Sequence, residues 1–297
     1  RLTGQKIFIS AGEHDLAANI VHLVLARLPD APVGSKGISL FVVPKFNVQA
    51  DGSVGERNGI YCGGLEHKMG IHGNSTCVMN YDGATGYLLG DLHKGMRAMF
   101  TMMNNARVQV GLQGVAIAEG AMQHALDYAR TRVQSAKFGG GPAAVRIIEH
   151  ADVRRTIMTM RALTEASRAL VYLNAAAVDR AHTGDKAGQG LADLLTPISK
   201  SWATDIGVEV ASLGVQIFGG MGYVEETGAA QYLRDARIAP IYEGTNGIQA
   251  MDLVGRKLGM DGGQHWKDLL GEVRATLSDL DENEELKLIT PWLQDAL

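Results

Sequence analysis

The apolar residues Leu191, Leu195, Ile198, Trp202, Ile206, Val210, Leu213 and Ile217 recur every three or four positions. That spacing gathers them on one face of a long α-helix. A stripe of this length is stable only when other helices cover it, so the chain must build a helical bundle. Partners are at hand. From Gly95, the residues Met96, Met99, Phe100 and Met103 start a helical period that runs through Leu112, Val115 and Met122 to Leu126 without a Pro. At about 1.5 Å per residue this is a helix of roughly four dozen ångströms or more. A second stretch from about Arg146 to His182 carries Val153, Ile157 and Met160 on one face, and Ile248, Met251, Val254 and Leu258 mark a shorter helix. Beyond Gly262-Gly263, Trp266, Leu269, Val273, Leu277 and Leu280 mark one more, whose acidic stretch Asp279 to Glu285 reads as a solvated face or loop.

Before Gly95 the pattern is different. Lys6 to Ser10, Ile20 to Ala26, Ile38 to Val43, Thr76 to Tyr81 and Gly86 to Leu89 are strand-length and rich in β-branched residues. Ala50 to Gly55 and Asn58-Gly59 are turn chemistry between them. The expected class is therefore α+β: a small β-barrel-like domain over residues 1–93, an up-and-down bundle of long helices over 94–260, and the start of a C-terminal extension over 261–297. No internal repeat or low-complexity tract interrupts this order.

Composition excludes several classes. With 46% hydrophobic and 20% charged residues in 297, the chain is of ordinary globular make-up, and no apolar run reaches a bilayer span. Its 28 Lys+Arg against 32 Asp+Glu leave −4, which gives no general attraction for nucleic acid. Cys62 and Cys77 have no disulfide framework or metal spacing, and the nine His show no ligand spacing either. We expect a reducing, cytoplasmic setting and no metal. The 37 Gly are about 12% of the chain, where about 7% is usual. They read as turns and loops. The chain opens at Arg1 inside a strand approach, and the expectation is a piece of a longer protein.

Three late segments carry possible chemistry: Gln216 to Tyr223 with Gly219-Gly220-x-Gly222, Arg234 to Ile238, and Ile241-Tyr242-Glu243-Gly244-Thr245-Asn246-Gly247-Ile248-Gln249. Alone, the first is a glycine-terminated helix end, since no strand precedes it as a dinucleotide fingerprint requires. Alone, Glu243 is an acid that favourably meets the dipole of the following helix, with Thr245 as its cap.

Their order and spacing resemble the C-terminal domain of the acyl-CoA dehydrogenase flavoproteins, in which Q-x-x-G-G-x-G is followed about two dozen residues later by I-Y-E-G-T. The resemblance extends to about Gly259. Phe8-Ile9-Ser10 is similar to the family's W-I-T/S, and Met69 to Thr76 to its L-G-x-R-x-S-x-T. Gly64 to Gly90 and Ile147 to His150 resemble the long bacterial members, of the methylmercaptopropionyl-CoA and broad-range fatty acyl-CoA dehydrogenase type.

The resemblance implies FAD-dependent α,β-dehydrogenation of an acyl-CoA to trans-2-enoyl-CoA. A thioester α-C–H is a weak acid, so a carboxylate kept basic by a dry pocket must reach it. Glu243 matches that base, with its own N–H as a donor to the developing enolate oxygen. Gly244 gives the thioester a close approach. Other members carry the base one residue before an Arg on the long helix; here Arg107, on the substrate side, follows Ala106, which cannot be a base. Ser10 matches a hydroxyl on the flavin, and Phe8 replaces the usual stacking Trp. Arg132 and Gln134 match the start of R-x-Q-F-G, although the Phe-Gly comes only at Phe138-Gly139. The Arg of that motif meets the FAD pyrophosphate of a neighbouring subunit. Gln216, Gly219 and Gly220 would line the adenosine half across the dimer, and Thr245 would touch the cofactor.

Implied partners are acyl-CoA, electron-transfer flavoprotein as acceptor, and further copies in a homodimer or dimer of dimers. The alternatives are an acyl-CoA oxidase or a nucleic-acid-binding paralogue of the same fold. The four methionines Met96, Met99, Met102 and Met103 serve as adaptable core filling or border an acyl tunnel, and His72, where the family has Arg, is assigned no role. The family's N-terminal helical domain and its pyrophosphate-binding loop have no counterpart here. The 297 residues alone are therefore expected neither to hold FAD normally nor to turn over.

Overall fold

Cys77, Met79 and Tyr81 are buried, whereas Val78 and Asn80 are partly covered and Asp82 is exposed, the period of a strand with one face in a core. The computed structural model describes residues 1–296. It divides into two units, Arg1–Asn105 and Ala106–Leu297.

The first unit contains β1 (Leu2–Ser10), β2 (Val21–Arg27), β3 (Ile38–Pro44), β4 (Phe46–Val48), β5 (Val54–Arg57), β6 (Ile60–Leu65), β7 (Thr76–Ala84) and β8 (Tyr87–Leu89). β7 lies between β1 and β6 in one antiparallel sheet, β3 lies between β2 and β8 in another, and β4 and β5 form a ribbon. Leu2, Ile60, Cys77, Met79, Tyr81 and Ala84 of the first sheet share a core with Val24 and Val43 of the second. Full burial of a Leu, Ile, Val or Met side chain contributes about 1.5–3 kcal/mol. Among the described residues the sheets remain open. A barrel needs an unbroken hydrogen-bonded ladder, which two three-stranded sheets and a separate ribbon do not provide, so the barrel-like expectation is corrected to packed open sheets.

The second unit is built around long helices. α1 (Gly95–Thr131) begins before the unit boundary, and β9 (Val133–Ala136) and β10 (Ala144–Arg146) follow as an exposed ribbon. Then come α2 (Ala151–His182), α3 (Lys186–Phe218), α4 (Ala229–Ala236), α5 (Asn246–Asp252), α6 (Gln264–Asp281) and α7 (Thr290–Asp295). A π-helical turn, Leu253–Lys257, extends α5. α2 thus starts five residues later than the apolar period suggests, because residues 133–146 pair as strands. Gly184, at φ 91°, turns the short link between α2 and α3, and the Asp185 side chain accepts from the Ala187 N–H at 2.9 Å to cap α3.

Small residues decide how α1 and α3 meet. A Cβ on Gly114 would strike the carbonyl of Ala203, and one on Gly207 would come within 2.9 Å of the Gly114 carbonyl oxygen. The backbones touch, and the stripe that faces inward is Ser199, Ala203, Gly207, Val210 and Gly214 more than the large apolar residues. Trp202 is accordingly 38% exposed. The expected stripe of the short helix is displaced further: Ile248, Met251, Val254 and Leu258 are all exposed, and Gln249 and Asp252 are buried in their stead.

Candidate functional site

The chain leaves α4 and reverses before α5 through Glu243 at φ 56° and Gly244 at φ 85°. Glycine adopts that region freely, but a glutamate held there is strained by about 1–3 kcal/mol and stays only where its surroundings enforce it. Those surroundings are specific. Arg107 Nε donates to the Glu243 carbonyl at 3.5 Å, and Gln249 Nε2 donates to the Gly244 carbonyl at 3.1 Å. The Asn246 N–H closes the turn onto the Pro240 carbonyl at 3.0 Å, while Thr245 Oγ1 accepts from the Ile248 N–H at 3.3 Å as the α5 cap. The Tyr242 hydroxyl donates to Gln113 Oε1 on α1, and burial pushes that phenol up.

Arg107 is only 4% exposed and also meets Asp252 Oδ2 at 3.3 Å; Asp252 in turn accepts from Arg256 at 2.6 Å. From α3, Lys200 Nζ donates to Asn246 Oδ1 at 2.9 Å, and Asn246 Nδ2 donates to Asp205 Oδ1 at 2.8 Å. Burial pushes the Lys200 ammonium down to about 8, with Asp205 and Glu243 opposing that shift and Arg107 reinforcing it.

With its carbonyls tied inward, the turn leaves other groups uncommitted. Among the described residues the half-buried Glu243 carboxylate accepts no hydrogen bond, and the N–H groups of Glu243, Gly244 and Thr245 find no acceptor. A free carboxylate beside free backbone donors suits proton abstraction next to a carbonyl whose oxygen gains charge. Gly244 must remain small, since a Cβ there would come within 2.9 Å of Gln249 Nε2.

The other expected residues lie elsewhere. Gln216, Gly219 and Gly220 are exposed at the end of α3, where Gly219 (φ 59°) caps the helix and Phe218 stacks on Tyr128 of α1 at 4.1 Å. Arg132 continues from the same last turn of α1, its N–H bonded to the Tyr128 carbonyl at 2.9 Å. Gln134 is in the ribbon, and its carbonyl accepts from His150 Nε2 at 2.8 Å. Neither side chain has a partner among the described residues. Along α1, Arg107 and Thr131 are 24 residues apart, about 36 Å at 1.5 Å per residue. The Glu243 turn and the Gln216–Gly220 segment therefore belong to opposite ends of the bundle.

Phe8 and Ser10 belong to the first unit. Phe8 sits where β1 breaks register against β7, at φ 58°, and this bulge leaves its ring 68% exposed, two residues from the exposed Ser10. An uncovered ring and hydroxyl suit a flat polar heterocycle, and an unpaired guanidinium suits a pyrophosphate. Each of these groups, taken within its own unit, is of a type that a flavin dinucleotide can use.

Sequence reasoning missed Lys200 and Asp252, and it gave no role to Asn246 and Gln249 within the third segment. A signal was available for one of them: Lys200 lies four residues from both Thr196 and Thr204, on the buried face of α3.

Residues 93–258 match the family model described as acyl-CoA dehydrogenase, C-terminal domain. The chain is 54% identical over 284 residues to 3-methylmercaptopropionyl-CoA dehydrogenase of Ruegeria pomeroyi, covering 94% of the chain and 48% of that protein. Among solved structures it is similar to Caenorhabditis elegans ACDH-11 in complex with C11-CoA, at a TM-score of 0.82 and 27% identity over 96% of the chain and 46% of that one. It is also similar to butyryl-CoA dehydrogenase of Megasphaera elsdenii, at a TM-score of 0.68 and 32% identity over 86% and 60%. The chain spans about half the length of the curated relatives it matches. No helix among the described residues is long and apolar enough to cross a membrane.

Proposed function

We propose that this chain, which belongs to the acyl-CoA dehydrogenase family, carries the catalytic base and part of the cofactor site of an FAD-dependent enzyme that converts acyl-CoA to trans-2-enoyl-CoA. The observation that carries the reading is the Glu243 turn: an unengaged carboxylate and unengaged N–H groups, held in a strained conformation by buried side chains. Glu243 takes the α-proton. Its N–H donates to the thioester oxygen as enolate charge develops there, and Gly244 admits the thioester to the turn. Arg107 holds the Glu243 carbonyl and would border the bound acyl-CoA. FAD, when bound, supplies the acceptor for the β-hydride at its N5. Phe8 and Ser10 would face the ring system, Thr245 would touch the cofactor, and Arg132, Gln134, Gln216, Gly219 and Gly220 would hold its phosphate and adenosine portions.

The Ruegeria relative is named for a sulfur-containing acyl-CoA, and we extend to this chain the acyl-CoA class alone. Electrons pass to an electron-transfer flavoprotein. The separation of the two candidate clusters along α1 supports a homodimer or dimer of dimers with shared sites. Unpaired Cys62 and Cys77 suit a cytoplasmic setting. The test is Glu243→Gln in the intact protein. A positioned general base contributes about 10²- to 10⁴-fold, so enoyl-CoA formation falls by at least about 10²-fold while flavin absorbance stays. Turnover within tenfold of wild type would move the base elsewhere.

A further inference from the structure

Lys200 takes no part in the reading above, yet it has no exposed surface at all. Among the described residues its ammonium makes one hydrogen bond, to the neutral Asn246 Oδ1, and no ion pair. A buried cation without a carboxylate in contact is unfavourable, and an apolar side chain of similar length would fill the space at less cost. Its charge therefore calls for a reason beyond packing. The charged groups acting on it are Asp205 from its own helix, Arg107 from α1 and Glu243 from the turn.

The geometry connects it to the base. Asn246 follows Glu243 by three residues, and its N–H closes the turn on the Pro240 carbonyl. Its side chain accepts from Lys200 and donates to Asp205, so the far side of the turn is fastened to α3 in the way that Arg107 fastens the near side to α1. We propose that Lys200, acting through Asn246, is a positioning residue for Glu243: it anchors the turn that carries Glu243 to α3. This rests on the reading of Glu243 as the base.

The experiment compares wild type, Lys200→Met, Asn246→Ala and Glu243→Gln in the intact, flavin-loaded protein. Two quantities are measured: kcat and KM of acyl-CoA dehydrogenation, and hydrogen exchange of the segment 240–249 without substrate. In Lys200→Met, kcat falls at least about tenfold while KM changes by less than about twofold, and segment 240–249 exchanges faster. Asn246→Ala speeds exchange and lowers kcat in the same way, because it cuts the same link between the turn and α3. Asn246→Ala also keeps the proposal testable if Lys200→Met fails to fold. The proposal is overturned if both variants keep the wild-type exchange of segment 240–249, including when kcat falls by itself. The outcomes stay separable: turnover retained in Glu243→Gln removes the base assignment, whereas loss there with unaltered Lys200 and Asn246 variants removes only the role of Lys200.

Discussion

A positive charge without exposure leaves a mark on stability that can be read apart from turnover. Lys200 titrates at about 8 in the folded chain, against roughly 10.4 when unfolded. Below pH 8 it is protonated in both states, and the full cost of enclosing the charge is present. As pH rises through 8, the folded state gives up that proton before the unfolded state does, so stability rises until about pH 10.4. The difference is roughly 3 kcal/mol at about 1.4 kcal/mol per unit. Lys200→Met removes this charge, but it leaves Asn246 Oδ1 without a donor, a loss of about 1–3 kcal/mol. The two nearly cancel at pH 7, where the variant should range from equal to wild type to about 2 kcal/mol more stable. Near pH 10.5 it should be the less stable by about 1–3 kcal/mol. Denaturant unfolding at both pH values checks the reversal, and a difference constant with pH would mean that the lysine titrates alike in the folded and unfolded states. Glu243, Gly244 and Thr245 were legible in the sequence because they are consecutive residues of one segment, with Thr245 at the helix cap. Lys200 was not, since its partner Asn246 is 46 residues away and only the packing of α3 against the turn brings them together.

Helices extend this contrast between local and non-local information. The long helices followed from apolar periodicity, which is a property of neighbouring residues. Which face turned inward did not, because in α3 the buried face was chosen by the smallest residues and left Trp202 part-exposed. The 37 glycines, read as turn and loop residues, in part serve this crossing. The consequence is measurable. Gly→Ala inside an exposed helix is worth about 0.5–1 kcal/mol in favour of folding. Gly271, inside α6 with nothing within 4 Å of a built Cβ, should gain that amount. Gly114 has the same helical preference, but its Cβ would meet the Ala203 carbonyl, and no rotamer change moves a backbone. Overpacking of this kind costs about 1–3 kcal/mol, so Gly114→Ala should be destabilising by up to about 2 kcal/mol. Opposite signs from one substitution type are the expected result in chemical denaturation. A stabilised Gly114→Ala would mean that α1 and α3 can separate at the crossing. The exposed stripe of α5 has the same origin: Gln249 and Asp252 turn inward to bond the turn and Arg107, and Ile248 and Met251 are thereby directed outward.

At the scale of the molecule, the second unit offers its chemistry at two ends. Arg107 and the Glu243 turn are at one, while Arg132 and the Gln216–Gly220 segment are at the other, about 36 Å along α1. If the second cluster serves the reaction centre of another copy, each centre is composite, and a two-fold dimer contains two such centres. Complementation decides the point. Intact protein carrying Glu243→Gln and intact protein carrying Arg132→Ala should each be impaired alone. In a mixed dimer, the centre that uses the intact Glu243 of one copy receives the intact Arg132 of the other, and the second centre combines both defects. Random association makes about half of the dimers mixed, each with one of two centres whole, so activity should recover to about a quarter of wild type. If Arg132 instead served its own copy, every centre would hold one defect and mixing would restore nothing. A mixture no more active than its components would therefore assign Arg132 to the centre of its own chain, and the 36 Å separation would then have to be bridged within one copy.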